Sequence, residues 1–337
     1  MATEILIIGL QEVGASLGLA LAQSELPLDI SGYDKDKPTA KRAHEAGAFQ
    51  RQVLDPRRAA RGVDVVIRTA TPADATDYLQ ELAPQLSGDT VMLDMTTPSL
   101  EALERAQEAS AKGGHIISAL PVVRFDALHH AAVDPHLARP DLFEGGMIGL
   151  ALPPELPEPS TEVILSLCGA VGATAFFIDP AELEYVSTVV EWLPALLGAG
   201  LLRASASTAG WPNIQRLAGR TFAASTHKAA LHPAEALADH LLSRRTTLMA
   251  LLATFSEELN WLRQALEAED RTTLIELLDE GMSARAQWLR ARELGDWQSL
   301  ESPHTPIPHR GILNTLLGFG PRPQPGGDQP KGDADRS

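Results

Sequence analysis

The segment ILIIGLQEVGASLGLAL at residues 5–21 constrains the fold more than any other part of the sequence. An apolar run that leads into a glycine-containing helical pattern predicts a strand that turns directly into a helix. Gly9 and Gly14 stand at the first and third glycines of the dinucleotide fingerprint, and Asp34 ends the next strand twenty residues after Gly14. A carboxylate there accepts hydrogen bonds from a ribose and repels a 2′-phosphate. The pattern therefore predicts a Rossmann-type domain that binds NAD.

The middle of this fingerprint departs from the usual pattern. Gln11 stands where a second glycine lets the pyrophosphate approach the backbone, so its side chain competes for that space. Glu12 adds negative charge near the phosphates, although an acid in the first helical turn also interacts favourably with the helix dipole. We therefore expect NAD to bind weakly, at Gly9, Gln11, Glu12, Val13, Gly14 and Asp34.

Strands and helices alternate through residues 1–179, which predicts an α/β domain with a mostly parallel sheet. Most of the strand candidates are continuous apolar runs, typical of strands buried on both faces. They are residues 4–8, 28–33, 63–67, 90–94, 115–118, 147–152 and 174–178. Helix starts are predicted where a capping side chain precedes proline, at Thr71-Pro72, Thr97-Pro98 and Asp179-Pro180.

From residue 180 the pattern is helical, and residues 180–301 are predicted to form an all-helical substrate and dimerisation domain. Leu248, Leu252, Phe255, Leu259, Leu262 and Leu266 form a stripe on one long helix. Leu274, Leu278, Met282, Ala286 and Leu289 form another on the next. The short turn between them predicts an antiparallel pair whose stripes serve core or dimer packing. Residues 302–337 are rich in proline, glycine and charge and are predicted to be disordered.

The formal net charge of −16 argues against nucleic acid or an anionic membrane as a partner. The single cysteine, Cys168, excludes internal disulfides and fits a reducing cytoplasm. No targeting segment, membrane-spanning segment or metal-ligand spacing is expected, so no metal site is predicted.

Several segments together resemble the prephenate and arogenate dehydrogenase family, from residue 4 to about 295. They are SGYDKD at 31–36, DVVIRTATP at 64–72, DTVMLDMTT at 89–97, HIISALPVV at 115–123, DLFEGGMIGLALPP at 141–154, ATAFFIDPAE at 173–182, STVVEWLPALL at 187–197 and GWPNIQRLA at 210–218. The resemblance implies an NAD(P)-dependent oxidative decarboxylation in tyrosine biosynthesis, carried out by a homodimer. Hydride leaves the ring carbon that bears the 4-hydroxyl group, and carbon dioxide is lost.

The departures from the family pattern fall on its catalytic histidines. The family histidine that assists deprotonation of the substrate hydroxyl aligns with Leu120. The two histidines of the family's SHLPH-like motif align with Trp192 and Ala195, and a further one aligns with Leu183. The resemblance thus implies altered chemistry or none.

Some positions of the family site persist. Thr97 aligns with a serine near the nicotinamide, Asp126 with an acid at the mouth of the site, and Arg216 with an arginine that grips a substrate carboxylate. Each has a simpler interpretation: a helix cap for Thr97, a solvated loop for Asp126 and a surface ion pair for Arg216. The histidines at 115, 129, 130 and 136 are weaker candidates for a replacement base, because loop histidines are more often solvated.

Three functions remain open at this point. The chain is a prephenate or arogenate dehydrogenase, a related NAD-dependent dehydrogenase of another small carboxylated substrate, or a non-catalytic homodimer with a binding or regulatory role. The resemblance extends from residue 4 to about 295, which is most of the chain, and this extent favours the oxidoreductase. Loss of the family histidine predicts a slow enzyme or one with a divergent substrate, because acid–base assistance contributes about 10²–10⁴ in rate.

Overall fold

The computed structural model describes residues 2–69, 78–110, 113–128 and 137–295. The predicted helix start at Thr71-Pro72, three of the candidate histidines (129, 130 and 136) and the predicted disordered tail lie outside these residues. The chain divides into two compact units, Met1–Met249 and Ala250–Ser337. The first unit thus includes helices from the segment that the sequence assigns to a separate helical domain. The predicted boundary at residue 180 stays a prediction.

The first unit is built on an eight-stranded sheet with the order β3-β2-β1-β4-β5-β6-β7-β8. Neighbouring strands are parallel except for β6 and β7, which are antiparallel. This confirms the predicted mostly parallel Rossmann-type sheet. The strands are β1 Thr3–Ile8, β2 Leu28–Tyr33, β3 Arg51–Gln52, β4 Val65–Arg68, β5 Val91–Asp94, β6 His115–Val122, β7 Met147–Ala151 and β8 Thr174–Phe177.

Both faces of this sheet are covered, as the continuous apolar strands predict. Ile5 and Ile7 of β1 point into one core cluster, while Leu6 and Ile8 point into another on the opposite face. The order of strands reverses between β1 and β4. In open α/β sheets, ligands bind in the crevice at the carboxyl ends of the strands on either side of such a reversal.

The helices of the first unit connect and cover these strands. They are α1 Glu12–Gln23, α2 Lys37–Glu45, α3 Pro56–Ala59, α4 Leu100–Ala109, α5 Glu158–Ala170, α6 Pro180–Ser187, α7 Leu193–Ala206, α8 Trp211–Leu217, α9 Arg220–Ala230 and α10 Ala234–Ser243. Short 3₁₀ helices lie at Ala83–Gln85 and Phe125–Ala127.

Local signals predicted some of these boundaries and missed others. Asp179 caps α6, accepting hydrogen bonds from the amides of Ala181 and Glu182, as predicted. The predicted cap at Thr97 is wrong: α4 begins at Leu100, and the cap is Ser99, whose hydroxyl accepts from the Ala102 amide. The sequence also missed β3, because two exposed residues are too few to show a strand period.

Helices α6 and α7 are joined by a π-helical turn, Thr188–Trp192, into a continuous run. This run, Pro180–Ala206, is the one helix among the described residues that is long and apolar enough to cross a membrane, with a mean hydropathy of 1.4. Core helices of soluble proteins pass the same test. Here α7 packs against α9, and Trp192 and Ala195 are buried in a small cluster with Leu237 of α10.

Helix α11, Arg245–Glu267, begins in the first unit and continues into the second, where α12, Arg271–Leu294, follows it. The turn between them is capped by Asp270, which accepts from the amides of Thr272 and Thr273. One groove is lined by residues of both helices: Glu258 and Leu262 of α11, and Leu277, Leu278, Gly281, Met282 and Arg285 of α12. The two predicted helices are therefore present and share a groove, and their antiparallel orientation stays a prediction.

Candidate functional site

The turn from β1 to α1 lies at the reversal of strand order. Gly9 has φ +91°, a conformation that favours glycine. A Cβ at Gly14 would lie 1.8 Å from the carbonyl oxygen of Gly9, so this position admits no side chain. Thr69, just after β4, donates its hydroxyl hydrogen to the same carbonyl at 2.7 Å. The turn is therefore held in a tight form in which the amide end of α1 faces the crevice, which suits a pyrophosphate.

Gln11 occupies the N-cap position of α1 with φ −73° and ψ −166°. This extended conformation is open to any residue, so the loss of glycine here strains nothing in the backbone. The Gln11 side chain makes no capping hydrogen bond. Glu12 is the first residue of α1, and Val13 is half-buried beside it.

Asp34 follows β2 and is tied to the same turn. One carboxylate oxygen accepts from the Leu10 amide at 2.7 Å, and the other accepts from the Asp36 amide at 2.8 Å. The carboxylate is thus fixed beside the phosphate turn, where a ribose would lie. Asp34 and the tight backbone turn at Gly9 and Gly14 together fit an NAD molecule.

A buried polar network lies at the carboxyl ends of β4 and β5. Arg68 and Asp94 form an ion pair in which both side chains are essentially unexposed. The Arg68 guanidinium also donates to the Thr96 hydroxyl at 2.8 Å, and Asp94 accepts from the Thr96 amide at 3.0 Å. Residue Thr97, which comes next, has φ +50°, a strained conformation for a β-branched residue. The network thus holds the start of an unusual turn at the edge of the crevice.

Leu120 and Leu183 lie close together, although they are far apart in the sequence. Leu120 is in β6, opposite Gly149 of β7. A Cβ at Gly149 would meet the Leu183 side chain at 3.6 Å and that of Leu120 at 3.8 Å. Neither leucine can exchange a proton. The two positions that the family resemblance assigns to histidines therefore form an apolar wall.

Trp192 and Ala195, the other two residues that align with family histidines, are buried. Two histidines from elsewhere in the sequence pack against Trp192. The ring of His240 stacks on the indole with centroids 4.4 Å apart, and the ring of His232 lies 5.4 Å away. The guanidinium carbon of Arg244 is 4.9 Å from the centre of the indole ring. We call Trp192, His232, His240 and Arg244 the indole cluster.

The indole cluster is joined to the crevice through Arg244, whose guanidinium donates to the carbonyl oxygen of Thr97. Burial lowers the pKa of Arg244 to about 10. Burial and the nearby charges of Lys228 and His240 lower the pKa of His232 to about 4. Both groups therefore lie in an environment that disfavours further positive charge.

Sequence reasoning missed the histidines and the arginine of this cluster. His240 and Arg244 are four residues apart, so they lie on one face of the helix and its C-cap. That spacing was a usable signal. The contact with Trp192, from another helix, was not visible in the sequence.

The other predicted site residues lie elsewhere. Asp126 is half exposed and pairs with Arg124 at 2.6 Å and with Arg139 at 3.7 Å, within a surface ion-pair network. Arg216 is exposed near the end of α8, and its side chain forms no ion pair with the residues that the structure describes. His115 is half-buried at the start of β6. Over the described ranges, no group of three or more His, Cys, Asp or Glu side chains is arranged to hold a metal ion.

Residues 4–124 match the family model of the NAD binding domain of 6-phosphogluconate dehydrogenase. This match confirms the NAD-binding domain predicted from the nucleotide fingerprint. No curated protein sequence matches the chain significantly.

Solved structures extend the comparison to the helical part of the chain. Prephenate dehydrogenase from A. aeolicus, in complex with hydroxyphenyl propionate and NAD+, has a TM-score of 0.69 at 19% identity, covering 85% of this chain and 98% of that one. Synechocystis arogenate dehydrogenase has a TM-score of 0.62 at 18% identity, covering 85% and 100%. A putative prephenate dehydrogenase from Corynebacterium glutamicum has a TM-score of 0.64 at 16% identity, covering 95% of this chain and 97% of that one. The predicted resemblance is thus confirmed as a shared fold.

Proposed function

We propose that this protein is an NAD-dependent oxidoreductase of the prephenate and arogenate dehydrogenase family, acting on a small carboxylated substrate. The observation that carries the proposal is the phosphate turn with Asp34 fixed beside it, at the reversal of strand order in a sheet of the dehydrogenase fold. Gly9, Gly14 and Asp34 would hold NAD, which when bound supplies a hydride acceptor. The Asp34 carboxylate favours NAD over NADP.

The residues at the crevice edge support a substrate that differs from prephenate, or slow turnover of prephenate itself. Oxidation of an alcohol requires its hydroxyl proton to leave, and an imidazole or carboxylate normally takes it. Leu120 and Leu183 supply neither. They instead present an apolar wall. A role in tyrosine biosynthesis would require another group to supply the base.

The same wall favours an alternative in a different functional class. A non-catalytic relative could retain the fold and the nucleotide turn for binding or regulation, with the catalytic positions filled by apolar side chains. The specific observation in its favour is that Trp192 and Ala195, aligned with two family histidines, are packed into the interior. We place the oxidoreductase first, because the turn and Asp34 keep a geometry that suits NAD.

We further propose that the protein acts as a soluble cytoplasmic homodimer that pairs through α11 and α12. Exposed apolar side chains follow both helices in the second unit: Leu259 is 51% exposed, Leu266 63%, Leu278 44% and Met282 65%. Leu278 and Met282 line a groove of about 320 Å³ that also has Glu258 and Arg285 on its lining. A second copy related by a twofold axis would cover this surface and could pair each acid with the partner's base.

Two measurements on the purified full-length chain test the proposed function. Calorimetric titration with NAD⁺ and NADP⁺ should show binding of NAD⁺ and weaker or no binding of NADP⁺. Steady-state assays with a panel of small hydroxy carboxylates that includes prephenate and arogenate, following reduction of NAD⁺, then separate the enzyme from the non-catalytic relative. Absence of NAD⁺ binding contradicts the proposal. Binding of NAD⁺ without turnover of any carboxylated hydroxy substrate favours the alternative.

A further inference from the structure

The indole cluster contains a buried positive charge without a counter-charge. Trp192 and Arg244 are each 3% exposed, and His240 and His232 are 7% and 8% exposed. The Arg244 guanidinium donates to the carbonyl oxygens of His240 and Thr97 and to the hydroxyl of Ser243. All three acceptors are uncharged. Within the described part of the chain, no carboxylate lies at ion-pair distance from Arg244.

Several buried polar atoms of the cluster also lack hydrogen-bond partners among the described residues. They are Arg244 Nε, Trp192 Nε1 and both ring nitrogens of His232. A buried polar group without a partner is destabilising, and a buried charge is normally paired. The indole and guanidine N–H groups are donors only. What would satisfy them together is an acceptor that carries negative charge.

The charged groups around the cluster do not supply that acceptor. Glu184 of α6 acts on Arg244 electrostatically but forms no ion pair with it. Glu191, next to Trp192, pairs with Lys228 of α9, so its charge is already compensated. Lys228 adds positive charge beside His232. The field within the cluster therefore attracts an anion.

The position of the cluster identifies what kind of anion it would meet. Through Thr97, Arg244 touches the turn that follows β5, where the carboxyl ends of the strands meet the crevice. Glu184, which acts on Arg244, directly follows Leu183 of the apolar wall. A molecule with an apolar body against the wall and a carboxylate in the cluster would satisfy both surfaces.

We propose that the indole cluster is a carboxylate-binding subsite, in which Arg244 supplies the charge and Trp192 Nε1–H and His232 supply further hydrogen bonds. The assignment of this carboxylate to the substrate rests on the proposed function. The binding of a carboxylate by the cluster does not depend on the proposed function. The subsite uses Arg244, at the C-cap of α10, and not the sequence-predicted Arg216 on α8.

The test is calorimetric titration of the full-length chain with 3-phenylpropionate and with its uncharged analogue 3-phenylpropionamide. The carboxylate should bind at least about tenfold more tightly than the amide, as expected for a charge-assisted contact. Arg244→Gln should remove this preference. Arg245→Gln is the matched control, because it makes the same change at an exposed arginine next in the chain, and it should keep the preference.

A second variant covers the case in which Arg244→Gln fails to fold. Trp192→Phe keeps an aromatic ring but removes the indole N–H, and it should weaken carboxylate binding about three- to tenfold while leaving amide binding unchanged. Circular dichroism and an NAD⁺ titration of each variant check that the fold is intact.

Three outcomes overturn the inference. They are equal binding of acid and amide by the wild type, full carboxylate binding by a folded Arg244→Gln or Trp192→Phe variant, and loss of binding in Arg216→Gln with Arg244→Gln unaffected. Carboxylate binding that depends on Arg244 in a protein that binds no NAD⁺ supports the inference and contradicts the proposed function. Failure of the inference can therefore be distinguished from failure of the proposed function.

Discussion

At the scale of single residues, the nucleotide turn shows how a backbone can keep its shape when a fingerprint residue changes. Gly9 and Gly14 are needed for a positive φ and for a close backbone approach. Gln11 needs neither, because its φ is −73°. The departure at Gln11 therefore leaves the fold intact and acts only through its side chain.

Replacing Gln11 by glycine should tighten NAD⁺ binding about fivefold or more, equivalent to roughly 1 kcal/mol. The side chain competes with the pyrophosphate, and glycine removes it without changing the backbone. Calorimetric titration of NAD⁺ measures the effect. Gln11→Leu keeps a similar bulk and should stay weak. Unchanged or weaker affinity in Gln11→Gly would show that the side chain does not obstruct the site.

Prephenate turnover should be at least about a hundredfold below that of a histidine-bearing relative, the low end of general-base contributions. The cause is Leu120, which offers the substrate hydroxyl only the apolar wall. Steady-state assays with prephenate and arogenate measure this. An ordinary kcat of about 1–10³ s⁻¹ on either substrate would contradict the prediction and point to another base, with the histidines at 129 and 130 as first candidates.

Stability should fall in mildly acidic solution because of His232. Its folded-state pKa of about 4 lies below the ordinary histidine value of 6.5, so the unfolded chain takes up the proton first as the pH falls. The free energy of unfolding should therefore decrease between about pH 6.5 and pH 4, by at most about 3 kcal/mol from this residue. The charged groups around it are Lys228, His240 and Arg244, with Glu184 and Glu191 beyond them.

Denaturant unfolding at several pH values measures this loss. His232→Gln should flatten the pH dependence relative to the wild type, whereas His227→Gln, on the neighbouring helix α9, should retain it. Identical pH profiles for the wild type and His232→Gln would contradict the assignment.

At the scale of elements, the first turn of α6 determines where the helical run after the sheet begins. Asp179 accepts hydrogen bonds from two amides that would otherwise lack a partner in the helix. This cap sits four residues before Leu183 and so sets the position of the apolar wall.

Asp179→Ala should lower the free energy of unfolding by about 0.5–2 kcal/mol, the usual cost of losing an N-cap. Chemical denaturation followed by circular dichroism measures it. Asp239→Ala, at an exposed position inside α10, serves as a control and should change stability by less. Equal effects of the two variants would mean that the cap at Asp179 contributes nothing specific.

At the scale of the whole molecule, the exposed stripes on α11 and α12 predict self-association. Met282→Glu places a charge in the middle of the apolar surface and should convert a dimer into a monomer, because burying an unpaired charge is costly. Sedimentation velocity at micromolar concentration measures the state. Glu280→Gln, at an exposed position on the same helix, should leave the dimer intact. A wild-type protein that sediments as a monomer at that concentration would contradict the proposed dimer.

Much of the fold was predictable because its signals are local. The strand–turn–helix at 5–21, the apolar strands and the cap at Asp179 each depend on neighbouring residues, so a periodic pattern or a capping side chain is enough to find them. The Rossmann-type sheet and the following helices thus came from the sequence by itself.

The candidate site was less predictable, because it is assembled from distant segments. Arg244 reaches Thr97 across 147 residues, and it meets Trp192 only where the C-cap of α10 packs against the π-helical turn Thr188–Trp192. No periodic pattern in the sequence predicts contacts between such distant segments. Even Thr97 was mistaken for a helix cap, because its positive φ depends on the packed turn around it. The sequence alone determined the secondary structure and the nucleotide turn, whereas tertiary packing decided which charged groups share the interior.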